Sequence, residues 1–269
     1  SGGVGSDTLD GGAGIDDVHA GDDDDVGVFT IGEGGAGERY DGGVGTDTLT
    51  VRYSAEDLAD PAIAADMVAL KQFIADNSDA ATDSGAERTF EALGVTVQDW
   101  EDVSFEGPDP NTDVELSLGP ASGVEDNQIA LNLSAALAEP TGVLTLQVTI
   151  SDIPQGAKLF DANGDEIAQN GSVTLSPDQL DGLTILPPEH SGDDFDLSVS
   201  TTVTNLLDDS ITTATNPLPV TVEVDADDPT LTVDGTAEAI GDPGTDDDID
   251  GGAEADTIYG GGGDDTIDG

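Results

Sequence analysis

The sequence contains no cysteine and has only five basic residues against 59 acidic ones, which gives a net charge of −54 at pH 7. So few lysines and arginines exclude nucleic acid and an anionic membrane surface as partners, because both are bound through clustered basic side chains. No disulfide can stabilise a small core, and no apolar run approaches the roughly 20 residues that span a bilayer, so membrane insertion is not expected. With hydrophobic residues at 36%, bound metal is the expected stabiliser.

Glycine and aspartate recur with a period of nine residues at both ends of the chain. Internal repeats of this kind indicate stacked structural units. Two other interpretations stay open: a disordered acidic linker, which the fixed spacing disfavours, and an acidic surface adapted to high salt. The N-terminal repeats are GGVGSDTLD (2–10), GGAGIDDVH (11–19), AGDDDDVGV (20–28) and GGVGTDTLT (42–50), and the C-terminal ones are DPGTDDDID (242–250), GGAEADTIY (251–259) and GGGGDDTID (260–268).

Each repeat has the composition of a metal-binding turn followed by a short strand. Paired glycines permit the positive φ of tight turns, which can aim backbone carbonyls inward. An apolar residue at the eighth position begins a strand whose side chain faces the interior. Ca²⁺ takes about six to eight hard oxygens. The sixth position supplies a carboxylate oxygen, from Asp7, Asp16, Asp25, Asp47, Asp247, Asp256 and Asp265.

This pattern resembles the RTX nonapeptide, G-G-x-G-x-D-x-U-x, of calcium-binding parallel β-rolls. The resemblance implies that carboxylates at position six and carbonyls near positions one and three hold Ca²⁺ between turns. The departures are local: Gly27 replaces the apolar residue, Glu254 replaces a turn glycine, and Asp242-Pro243 loses the opening glycine pair. Segment 34–41 is one residue short and puts Arg39 where aspartate belongs, so weak or absent Ca²⁺ binding is expected there. The implied ligands are Asp22 and the carbonyls of Gly2, Val4, Gly11, Ala13, Gly42, Val44, Gly251, Ala253, Gly260 and Gly262.

A helix is predicted after the first repeats. Asp60 is placed to cap its N-terminus, with Pro61 at the first helical position. An apolar stripe predicts a helix of about sixteen residues that packs over the open end of the roll. Short strands follow over 88–106, where Trp100 is expected in the core rather than stacked on a sugar. The stripe consists of Ile63, Met67, Leu70 and Ile74.

From about residue 113 the apolar period changes to two, which predicts an antiparallel sandwich of seven or so strands, immunoglobulin-like in the broad sense. The stretch 113–226 also resembles the cadherin-like sandwich repeats of large bacterial adhesins exported by type I secretion. That resemblance implies Ca²⁺ clamps, with Glu125 and Asp126 at one pole and Asp225 and Asp227 near the other. Plain solvated loop acids are the alternative for all four.

Catalysis is not expected. The chain has two histidines and neither H-E-x-x-H nor G-x-S-x-G, so zinc-protease and lipase-type sites are excluded. The segment DANGDE (161–166) has EF-hand-like spacing, but Glu166 stands where that loop needs glycine. A hairpin turn is the better interpretation.

The expected fold is mainly β: a Ca²⁺-binding parallel β-roll with a short helical cap, plus an antiparallel cadherin-like or immunoglobulin-like sandwich. The expected segments are 1–50 (roll), 51–107 (cap), 108–226 (sandwich) and 227–269 (second RTX stretch). The chain lacks an initiator methionine and a signal segment, so an internal fragment is expected.

The expected function is that of a non-enzymatic, Ca²⁺-dependent extender of a secreted or cell-surface RTX adhesin. Its expected partners are several Ca²⁺ ions, neighbouring adhesin domains and a host or cell-surface ligand. Alternatives are a sugar- or peptide-binding module and the noncatalytic region of a secreted RTX enzyme.

Overall fold

The structure, a computed structural model, describes residues 1–78, 85–189 and 191–223, together with five short strands between 230 and 268. The described part of the chain is mainly β, as predicted, with two α-helices. It divides into two compact units. Unit 1 comprises Ser1–Asp113, Ala138–Thr145 and Val203–Thr212, and unit 2 comprises Val114–Leu137, Leu146–Thr202 and Thr213–Gly269.

Successive strands of unit 1 alternate between two sheets. One sheet has the order β1-β3-β5-β8-β7 and the other the order β2-β4-β6-β9, and every pair is parallel except β7 with β8. The strands are β1 (Gly3–Val4), β2 (Thr8–Asp10), β3 (Asp17–Asp22), β4 (Val26–Thr30), β5 (Glu38–Val44), β6 (Thr48–Arg52), β7 (Glu87–Phe90), β8 (Val95–Gln98) and β9 (Asp102–Glu106).

The nine-residue period explains this alternation, because one repeat supplies a strand to one sheet and the next repeat supplies a strand to the other. Thr8 therefore pairs with Val26, two repeats later, and Val26 pairs with Thr48. The predicted interior positions are buried at Val18 and Leu49. The narrow core between the sheets is completed by Val28, Val51, Val95 and Val97.

Two helices follow β6. Helix α1 (Ala55–Ala59) has a capping box made by Ser54 and Asp57, and α2 (Pro61–Asn77) has Asp60 as its N-cap, as predicted. The predicted stripe faces inward: Met67, Leu70 and Ile74 are buried, and Ile63 is half-buried. Helix α2 contacts β7 and β9, the last strands of the two sheets. The Phe73 and Phe90 rings pack edge to face at 5.9 Å.

The middle of the chain forms two further sheets, β10-β13 and β11-β18-β17-β14-β16-β12, with β15 paired to β14. The predicted period of two is confirmed by burial, since Val148, Ile150, Leu197 and Val199 are all inaccessible to solvent. The strands are β10 (Val114–Leu118), β11 (Ala121–Val124), β12 (Ile129–Ala130), β13 (Leu133–Leu137), β14 (Leu144–Phe160), β15 (Glu166–Leu175), β16 (Thr184–Leu186), β17 (Phe195–Asn205) and β18 (Ile211–Glu223).

One pair in this region departs from the antiparallel expectation. Strand β11 pairs with β18 in parallel, Ala121 opposite Val220, whereas β10 with β13, β14 with β15, and β16 with both β12 and β14 are antiparallel. A parallel partner that is remote in sequence leaves no turn signal, so the period alone could not reveal it.

The C-terminal strands repeat the alternation of unit 1. Strands β19, β21 and β23 form one parallel sheet and β20 and β22 another. Leu231 pairs with Ile249 and Ile249 with Ile267, so here too a strand meets the one two repeats later. The strands are β19 (Thr230–Thr232), β20 (Glu238–Ile240), β21 (Asp248–Asp250), β22 (Thr257–Tyr259) and β23 (Thr266–Asp268).

Candidate metal centre

Four acidic residues stack at the start of the strands of one sheet in unit 1. Asp7, Asp25, Asp47 and Glu101 immediately precede β2, β4, β6 and β9, and the register of these strands brings the four residues level. We call them the first carboxylate column. The repeats predicted the three aspartates. Glu101 does not belong to a repeat, and the two helices lie between it and Asp47 in the sequence.

The last three carboxylates in the column each accept a hydrogen bond from the backbone of the previous turn. Asp7 N donates to Asp25 Oδ1 at 2.7 Å, Asp25 N to Asp47 Oδ1 at 2.7 Å, and Asp47 N to Glu101 Oε2 at 2.8 Å. The sequence separations are 18, 22 and 54 residues, so insertions between turns are looped out without breaking the column. The amides fix one oxygen of each acceptor in place.

The second oxygen of the central carboxylates is buried without a donor. Asp25 and Asp47 are 2% and 0% exposed, and Oδ2 of each accepts no hydrogen bond from the described residues. Burial raises the pKa of Asp47 to about 6, against the hydrogen bond from the Asp25 amide and with added repulsion from the Glu101 and Asp25 carboxylates. A buried oxygen that lacks a donor is costly unless a cation meets it.

The glycine turns lie directly against these oxygens. A Cβ at Gly42 would lie 3.1 Å from Asp47 Oδ2 and would overlap the carbonyl oxygen of Asp99. A Cβ at Gly2 would lie 2.6 Å from Asp7 Oδ2 and 2.7 Å from the carbonyl oxygen of Ala20. Carboxylate and carbonyl oxygens therefore converge at the first position of these repeats, a donor set suited to Ca²⁺.

A second column of acidic residues lies at the start of the strands of the other sheet. Asp16 precedes β3, and Asp16 Oδ2 is buried without a donor from the described residues. The strand register corrects the expectation that Arg39 takes the position of the repeat aspartate. Asp17 pairs with Arg39, so Glu38 lies level with Asp16, because the missing residue is in the preceding turn rather than in the strand. The guanidinium of Arg39 instead contacts Asp41 at 3.2 Å.

The remaining predicted ligands of the first repeats lie around the turns. Gly11 packs against Asp16, whereas the side chains of Val4 and Val44 are exposed, and Asp22 is exposed in β3. Ala13 is also exposed. Two acids in the same aspartate run as Asp22 were missed: Asp23 Oδ2 accepts from Gly5 N at 3.0 Å and Asp24 Oδ1 accepts from Thr46 N at 2.8 Å.

Several predicted ligands lie outside the described residues. They are Asp225, Asp227, Asp247, Gly251, Ala253, Asp256, Gly260, Gly262 and Asp265.

Of the predicted clamp of unit 2, the described residues include Glu125 and Asp126. Glu125 is fully buried and Asp126 is exposed with φ of 54°. Glu125 N donates to the carbonyl oxygen of Glu223 at 2.9 Å. Glu125 thus lies beside the end of β18, because β11 runs parallel to β18.

Two other sequence expectations concern possible ligand sites. Trp100 is 2% exposed, its indole N–H donates to the carbonyl oxygen of Tyr40 at 3.2 Å, and so it belongs to the core, as expected. The hairpin at 161–166 is confirmed by the pairing of β14 with β15. Asp161 Oδ1 accepts from the amides of Asn163 and Asp165, and these bonds lower the pKa of Asp161.

No family model, curated protein or solved structure matches the chain. Within the described ranges, no helix is long and apolar enough to cross a membrane. In the same part of the chain, no three histidine or acidic side chains cluster as a metal site. A metal at the first column would therefore rely on carbonyl oxygens beside the carboxylates.

Proposed function

We propose that this chain is a Ca²⁺-dependent structural segment of a secreted or cell-surface RTX adhesin, exported by type I secretion. In this proposal unit 1 is an RTX-type parallel β-roll closed by α2, the middle strands are a cadherin-like sandwich, and β19–β23 belong to a second RTX stretch. The segment has no catalytic role and extends or stiffens the adhesin.

The observation that carries the proposal is the pair of buried, donor-free oxygens Asp25 Oδ2 and Asp47 Oδ2 in one column. The residues fit a hard cation, since glycines without side chains leave carbonyl oxygens beside those carboxylates. Bound Ca²⁺ would supply positive charge to the column. Asp25 and Asp47 would bind it through Oδ2, while the amide of the previous turn keeps each carboxylate oriented through Oδ1.

In this proposal, repulsion within the net charge of −54 makes folding depend on Ca²⁺. Inside a cell, low Ca²⁺ leaves the carboxylates to repel one another, which keeps the chain unfolded and competent for export. Outside, millimolar Ca²⁺ exceeds the dissociation constants of about 10⁻⁴–10⁻³ M that are typical of extracellular modules. Binding free energy becomes folding free energy.

Far-UV circular dichroism of the EDTA-treated chain tests this proposal, with CaCl₂, MgCl₂ and NaCl titrated at matched ionic strength. We expect a cooperative gain of β signal at millimolar Ca²⁺ alone. An equal gain with NaCl would assign the acids to general screening or to solvation in high salt, and the Ca²⁺ sites would be wrong.

Matched variants test the residues. Asp25→Asn keeps an acceptor for the Asp7 amide but removes the charge, so it should raise the Ca²⁺ concentration needed for folding and lower the number of bound ions. Asp161→Asn removes the same charge from the hairpin turn and should change neither. Equal effects of the two substitutions would contradict the assignment of the column. Calorimetry gives the stoichiometry.

The alternatives receive less support. The burial of Trp100 removes the aromatic platform that a sugar site near it would need. A peptide- or sugar-binding sandwich would capture ligand in pull-downs with Ca²⁺, whereas a pure extender should capture none. The noncatalytic region of an RTX enzyme would require an adjoining catalytic domain in the full-length gene.

A further inference from the structure

A cavity of about 260 Å³ in unit 1 contains a carboxylate that lies outside the first carboxylate column. Its wall is formed by the loop before β5, the start of α2 and the turn before β8. Apolar side chains provide much of this wall: Phe29, Ile63 and Leu93. Glu38 reaches it from β5, and Gly34 lies in the same wall.

Glu38 lacks a partner for its charge. The residue is 2% exposed, and no described residue donates a hydrogen bond to its carboxylate. No lysine or arginine lines the cavity, and its other charged residues, Asp57 and Glu91, are also acidic. Burial raises the pKa of Glu38, and repulsion from Asp16 and Glu33 raises it further.

The position of this carboxylate depends on a glycine. A Cβ at Gly34 would overlap Glu38 Oε1, so the carboxylate occupies space that any other residue at position 34 would fill. The charge is therefore held against the backbone in a cavity whose wall is partly apolar. Proton uptake or a cation in the cavity would stabilise such a charge.

We propose that this cavity binds an alkylammonium group, from a free amine or a lysine side chain, with Glu38 as its counter-ion. The apolar walls suit the alkyl chain, whereas Ca²⁺ takes about six to eight oxygens. The volume is just below the roughly 300–1,000 Å³ of pockets that hold drug-sized ligands, so a short chain fits. The net charge of −54 concentrates organic cations near the surface.

Isothermal titration calorimetry on the whole chain in saturating CaCl₂ tests the site with ammonium, ethylammonium and n-butylammonium chloride. Affinity should rise with chain length, by about fourfold for each methylene that becomes buried. Nα-acetyl-lysine methylamide is the second source of the same group. Tighter binding than n-butylammonium assigns the site to lysine side chains, and weaker binding assigns it to free amines.

Variants locate the binding. Glu38→Gln should weaken n-butylammonium binding by about tenfold or more, because a hydrogen bond between two charged groups is lost. Ala92→Leu should also weaken it, by filling the cavity while Glu38 stays. Glu115→Gln, at an exposed position in β10, should have no effect. Circular dichroism in CaCl₂ checks that each variant is folded.

Three results would overturn the proposal. One is equal affinity for ammonium and n-butylammonium, a comparison made on the natural chain. Another is unchanged binding in folded Glu38→Gln. The third is competition by CaCl₂, which would make Glu38 a calcium ligand instead.

Discussion

The ionisation of Asp47 is coupled to folding. Its pKa is raised from 3.8 to about 6, so between these values the folded form holds a proton that the unfolded chain has lost. Stability without Ca²⁺ should therefore rise as the pH falls through this window, by at most about 3 kcal/mol. An ion-paired aspartate, whose pKa is lowered, would have the opposite effect and make stability fall as the pH falls.

Circular dichroism of the EDTA-treated chain should accordingly show more β structure at pH 5 than at pH 7. Asp47→Asn carries no charge at either pH, so its signal should depend less on pH and be higher than that of the natural chain at pH 7. Other acids also titrate, and the difference between the two proteins isolates Asp47. A variant with an unchanged pH dependence would contradict the assignment.

Gly27 shows why a residue can depart from its repeat. A Cβ at Gly27 would overlap the indole of Trp100, so the repeat's apolar residue is absent where the tryptophan fills the core. Gly27→Val restores the repeat pattern but should destabilise the fold by about 1–3 kcal/mol through overpacking. Urea unfolding followed by far-UV circular dichroism measures this.

A double-mutant cycle provides the control for that experiment. Trp100→Leu leaves room beside position 27, so adding Gly27→Val to Trp100→Leu should cost less than adding it to the natural chain. Additive effects would show that the overlap with the indole is not the reason for glycine.

Among the elements, α2 depends on its first turn. Asp60 Oδ1 accepts from Ala62 N at 2.9 Å and from Ile63 N at 3.4 Å. Asp60→Ala should lower stability by about 1 kcal/mol, because those amides lose their acceptor. Asp60→Asn removes the same charge but keeps a capping oxygen. Its stability should remain close to that of the natural chain when unfolding is followed by Trp100 fluorescence. A loss of stability equal to that of the alanine variant would contradict the capping role.

The sequence predicted the elements whose signals are local. The N-cap and apolar stripe of α2 are adjacent in the chain, and the nine-residue period gave the positions of Asp7, Asp25 and Asp47. Helix α1 was missed, although the pair Ser54 and Asp57 is a capping signal of the kind that precedes short helices.

Elements that depend on remote contacts could not be predicted. Glu101 joins the first column only because β9 pairs with β6, and Glu38 replaces Arg39 only because a turn shortens. Lys71 of α2 donates to the carbonyl oxygen of Leu206 at 3.1 Å, a contact across 135 residues. No local pattern encodes such pairings, since they arise when strands and helices assemble.

At the scale of the whole molecule, the acids fall into two groups with different responses to salt. The Asp25 and Asp47 side chains are buried, so mobile ions screen them little, whereas most surface acids are exposed and screened over about 10 Å at 0.1 M salt. NaCl should therefore weaken the general repulsion, and only an ion that enters the column should neutralise the buried charges.

Small-angle scattering separates the two groups. In EDTA at low salt, the radius of gyration should approach the roughly 57 Å of an unfolded chain of this length. A variant that neutralises four exposed acids should be more compact in EDTA and respond less to NaCl, yet contract at the same Ca²⁺ concentration as the natural chain. A shift of the Ca²⁺ midpoint as large as that of Asp25→Asn would mean that total charge, not the column, controls folding. The four substitutions are Glu115→Gln, Asp152→Asn, Asp181→Asn and Asp196→Asn.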